Sequence, residues 1–67
     1  MPENKEAATQ HQQAAEHHDK ASEAHHDAAE AHSQGHPEAK QKSKAAHDAS
    51  QTAHEASTQA HSSAQKS

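Results

Sequence analysis

The chain has 67 residues, with ten acids against six lysines, ten histidines and a formal charge of −4 when histidine is neutral. It contains no cysteine and no aromatic residue, and its apolar inventory is seventeen alanines and Met1, without a Leu, Ile or Val. This excludes disulfides, cysteine zinc sites and thiol redox chemistry, leaves no run for a membrane span or secretory signal, and makes a conventional core impossible, since a buried methyl contributes only about 0.8 kcal/mol.

Helix formers dominate from Glu3 onward: Ala, Glu, Gln and Lys lose least on entering a helix, and the β-branched residues are three threonines. Pro2 and Glu3 form a start signal, so the first helix is predicted over residues 3–34. Written in sevens it reads AATQHQQ, AAEHHDK, ASEAHHD, AAEAHSQ, each unit opening on alanine: Ala7, Ala14, Ala21 and Ala28. Ala8, Ala15, Ala24, Ala29 and Ala31 are expected to widen this stripe. The fifth place of each unit is histidine, His11, His18, His25 and His32, about 40° around the helix from the alanine stripe. That angle places these rings in the small-residue face, aimed at whatever packs there. The other members of the doublets, His17 and His26, read as solvated surface, and Glu16, Glu23 and Glu30 as charge on the far side.

The interior breakers fall together in "SQGHPE". Gly35 suits the left-handed position after a helix end and Pro37 the first turn of the next helix, so the turn is set at residues 35–36 and the second helix at 37–65. A turn this short makes the helices antiparallel neighbours. The fold class expected is therefore all-α, a single antiparallel two-helix hairpin over 1–67 with an alanine-rich heptad seam. Residues 1–34 hold seven acids and two lysines, and residues 35–67 three acids and four lysines, so the arms attract mildly.

The second helix repeats AHDASQT, AHEASTQ, AHSSAQK, with Ala39, Ala46, Ala53 and Ala60 on its stripe, widened by Ala49 and Ala56, and His47, His54 and His61 one place on. Ser43, Ser50 and Ser57 stand where the first helix carries histidine. A turn centred near residue 36 puts His18 level with His54, His25 with His47 and His11 with His61, while His32 meets Lys40. Successive levels are about 10.5 Å apart, too far to share an ion. Two converging imidazoles chelate a borderline divalent ion, and imidazole favours zinc, nickel, cobalt or copper(II) over magnesium and calcium. No carboxylate stands three or four places from the second-helix histidines to complete a tetrahedron. Water, His17, His26 or a second hairpin are the candidates; a twofold dimer would form a four-helix bundle with up to four imidazoles per level. His36 reads as a turn residue that with His32 has chelating spacing.

The stretch "AAEHHDKASEAHHDAAEAHSQGHPEAKQKSKAAHDA" resembles a group of small bacterial Ala/His-rich proteins built on AAEHH-type units, with a central glycine turn and a second Ala/His helix. The resemblance spans about residues 7–61 and implies metallohistin-like, histidine-based metal binding without cysteine. This chain departs from that pattern in the single histidines of its second helix. The turn also resembles the helix-turn-helix unit of a tetratricopeptide repeat, but lacks the large residues by which such repeats hold peptides.

The function read from the sequence is storage, buffering or detoxification of transition metal ions in the cytoplasm, without enzymatic activity. Nothing supplies a nucleophile with an oriented base, a phosphate loop or an enclosed pocket. Sparse lysines and the lack of aromatics exclude nucleic acid, and the lack of a span excludes the membrane. Two other readings fit the composition: a hydrophilic stress protein of the late-embryogenesis type without a specific ligand, and a histidine proton buffer. Duplication of a heptad that happened to carry histidine also generates the spacing.

Overall fold

The computed structural model describes residues 3–66; the start signal Pro2, together with Met1 and Ser67, lies outside the described residues. Two helices, α1 (Lys5–Ser33) and α2 (Ala39–Gln65), pack against each other as an antiparallel hairpin, and no strand occurs among the described residues. The result is a rod of 53 × 13 × 10 Å in Cα extent. A body one helix thick has no interior beyond the line along which its arms touch.

That line follows the heptads. In α1 the seam rows are a (Ala7, Ala14, Ala21, Ala28) and d (Gln10, His17, Ala24, Ala31); in α2 they are a′ (Ala39, Ala46, Ala53, Ala60) and d′ (Lys42, Ala49, Ala56, Ser63). Every buried or half-buried described residue belongs to one of these four rows except Asn4, Ser50 and Ser57. The a′ alanines of α2 are the most covered, Ala46 and Ala53 at 1% and Ala60 at 0% exposure.

The second seam row of α1 is therefore three places after the alanine, not one. Ala8, Ala15 and Ala29, expected to widen the contact face, are exposed, and His17, read as solvated surface, is half-buried in the seam. The reason lies in α2: its row one place after the alanine is Lys40, His47, His54 and His61, too bulky for close packing, whereas its row three places on is mostly small. Both arms must present adjacent rows to one partner, so the choice made by α2 rotates α1 to match.

The ends are tied by specific bonds. Asn4 is the N-cap of α1: its Oδ1 accepts from the Ala7 amide at 3.0 Å, while its Nδ2 donates to the Ser63 carbonyl at 3.0 Å. One side chain thus satisfies an orphan amide of α1 and adds a second donor to a carbonyl near the end of α2, which also accepts from the Lys66 amide. Ser63 Oγ in turn donates to Gln10 Oε1.

At the other end Gly35 adopts φ 66°, the Gly35 amide donates to His32 O and the His36 amide to Ala31 O. This paired closure of α1 requires a left-handed residue, the role glycine fills without a side-chain clash. Pro37 and Glu38 form a turn, so α2 begins at Ala39, two residues later than predicted. His36 caps that turn, its Nδ1 accepting from the Glu38 amide at 3.3 Å and its carbonyl from the Ala39 amide at 3.1 Å. No helix is long and apolar enough to cross a membrane among the described residues.

Candidate metal-binding flank

Beside the seam the two arms meet along a second line. His18 Nε2 lies 2.6 Å from Ser57 Oγ, and His25 Nε2 lies 2.6 Å from Ser50 Oγ. The second contact is the first moved by one heptad, forward in α1 and backward in α2, which is how a strict antiparallel register repeats. The same step carried toward the turn pairs the positions of His32 and Ser43. Row e of α1 (His11, His18, His25, His32) therefore runs along row e′ of α2 (Ser43, Ser50, Ser57, Ala64).

His47, His54 and His61 occupy the next row outward, b′, three places before the e′ residues. Residues three apart on a helix are neighbours on its surface, so His54 stands beside Ser57 and His47 beside Ser50. The structure brings all seven expected ladder histidines onto one flank, and all seven are exposed. It does not record direct ring-to-ring contact across the arms: the side chain bonded to His18 is Ser57 and not His54, and to His25 it is Ser50 and not His47. Serine intervenes because e faces e′ across the seam, whereas b′ is set one row further out. A shallow depression on α2 is lined by His47, Ser50, Gln51, His54 and Glu55, so two ladder histidines border one concavity whose serine is held by His25.

The other three histidines separate from this flank. His17 is in the seam, His26 is exposed on the outer side of α1, and His36 is committed to the turn through Nδ1. Beside the turn, a second depression collects Asp27, Glu30, Gln34 and His36 opposite Lys42. On the outer side of α2, Lys44 Nζ pairs with Asp48 at 3.2 Å in an exposed bond that contributes little.

Chemically, a neutral imidazole has one N–H and one lone pair, and the partner of one nitrogen decides what the other offers. Serine accepts from Nε2–H as readily as it donates to an Nε2 lone pair. With Nε2–H donated to Ser57 or Ser50, the ring is held in orientation and the Nδ1 lone pair is left for a ligand. An imidazole donor set suits zinc, nickel, cobalt or copper(II). No group of three or more His, Asp or Glu side chains lies close enough to hold an ion among the described residues, so a level of one hairpin offers at most two ligands as it stands. The serines were legible in the sequence as small residues at the histidine spacing; their role as partners was not, because it depends on register.

The architecture is that of a minimal alanine-seamed helical hairpin carrying a histidine-bearing flank. No family model matches the chain, and neither curated proteins nor solved structures give a match.

Proposed function

We propose that the protein binds divalent transition metal ions, zinc, nickel, cobalt or copper(II), through the imidazoles of this flank, and serves in their storage, buffering or detoxification. The observation that carries the reading is the gathering of His11, His18, His25, His32, His47, His54 and His61, drawn from both helices at heptad spacing, onto one exposed side. The serine bonds support it further, since metal-binding histidines characteristically donate their second nitrogen to a fixed acceptor. His17, His26 and His36 are placed in a secondary tier, because the seam, the far side and the turn claim them. The resemblance to Ala/His-rich proteins points the same way. No catalytic role is proposed for a thin rod whose concavities are shallow.

Titration of zinc into chelator-treated protein at neutral pH tests this. A defined stoichiometry by calorimetry, with helicity and melting temperature rising together, is the expected result. Non-saturating heats with unchanged helicity would refute the proposal and favour the stress-protein reading. Acidification should release the ions, because only neutral imidazole ligates. Exposure of nine of the ten histidines supports proton buffering as a second reading, which a potentiometric titration without metal measures directly.

A further inference from the structure

The flank is distinguished as much by what it lacks. Its four parallel rows are b of α1 (Ala8, Ala15, Ser22, Ala29), the e histidines, the e′ serines with Ala64, and b′ of α2 (Lys40 and three histidines). In a chain with ten acids and six lysines, these sixteen positions hold no carboxylate and one lysine. The carboxylates lie further out: Asp19 in the next row of α1, then Glu16, Glu23 and Glu30 on α1 and Asp48 and Glu55 on α2 one row beyond.

We propose that this flank is the interface of a metal-bridged homodimer, in which each ion is held by imidazoles of two copies. The inference rests on the metal-binding reading above and names the partner that completes it. Three observations select a second copy of this chain. One hairpin brings no three ligands together, so a closed shell needs donors from outside it. The small exposed residues Ala8, Ala15 and Ala29 beside the rings leave space for a second backbone to approach. The broad side of the rod, 53 × 13 Å, offers about 700 Å² per copy, close to the roughly 800 Å² each partner gives to a standard interface.

The same geometry makes the association depend on metal. Alanine, serine and neutral histidine give a face that does not repel itself, yet the formal charge of −4, carried by carboxylates behind that face, keeps metal-free copies apart. Divalent ions between the faces supply both the compensating charge and the bonds. Because the histidines of both helices share a seven-residue period, a twofold rotation that aligns one level aligns the others.

The test combines light scattering after size-exclusion chromatography with zinc calorimetry on the full chain at neutral pH. Mass should double with zinc and return to that of one chain with chelator. Ala15→Gln with Ala29→Gln, which adds neutral bulk to the exposed b row, should abolish the doubling and weaken zinc uptake by about tenfold or more while the circular dichroism stays helical. Ala45→Gln, on the opposite flank, should behave as the parent. Zinc bound with no change of mass would overturn the dimer and leave metal binding standing. No zinc heat would overturn both, and doubling that survives Ala15→Gln with Ala29→Gln would overturn this choice of face.

Discussion

Replacing Ser50 and Ser57 by alanine together removes the two hydroxyls that hold His25 and His18, and the sign of the effect on metal affinity reports how those rings are used. If each Nε2–H donates to its serine, the hydroxyl orients the ring and raises its basicity, and the ion takes Nδ1. Both bonds lie at exposed histidines. Their net worth is then about 1 kcal/mol each, well below the desolvated limit, which converts to about fivefold weaker binding at each of the two levels. The metal-free hairpin should scarcely change, because alanine's better helix propensity, worth about 0.5 kcal/mol, offsets much of each lost bond. Zinc calorimetry on the parent and the double variant reads the affinities, and nitrogen NMR of the imidazoles reads the tautomer. Tighter binding in the variant would refute the reasoning, since it would mean that serine competes with the ion for the Nε2 lone pair. Unchanged affinity would refute it as well.

Three further outcomes concern the fold. Ala53→Leu, at a seam position with 1% exposure, should cost about 1 to 3 kcal/mol by forcing the helices apart, seen as a lower denaturation midpoint, whereas Ala45→Leu at an exposed position should shift stability by no more than about 0.5 kcal/mol. Asn4→Ala should cost about 1 kcal/mol through the lost cap, while Asn4→Asp keeps the acceptor for the Ala7 amide but not the donor to Ser63 O; hydrogen exchange should then rise at the end of α2 more than at the start of α1. Gly35→Ala meets no atom within 4 Å, so its penalty is conformational alone; about 1 to 2 kcal/mol is expected from the left-handed φ, recoverable in a synthetic chain with D-alanine at that position.

Much of this was legible in the amino-acid order. Unbroken helix formers, the Gly35 and Pro37 pair and alanine every seventh place dictate two antiparallel helices and the rows Ala7 to Ala28 and Ala39 to Ala60 at their contact, because helix propensity and turn stereochemistry act locally. The start of the first helix was set two residues early: Pro2 and Glu3 carry a conventional start signal, whereas α1 begins at Lys5, with Asn4 as a cap that also reaches Ser63, nearly sixty positions away.

The rotation of α1 about its own axis was not written locally. Ala8 and Ala15 look like better seam residues than Gln10 and His17, and only the shape of α2 decides against them. That one choice turns the His11 to His32 row from the centre of the contact to its edge, places Ser57 and Ser50 against His18 and His25, and leaves the neutral flank open. Period and composition are properties of each helix alone, so the sequence determined the hairpin and its histidine repeat. Which face meets which is a property of two surfaces fitted together, and only the packed structure decided whether the histidines would be core, partners of each other, or a flank.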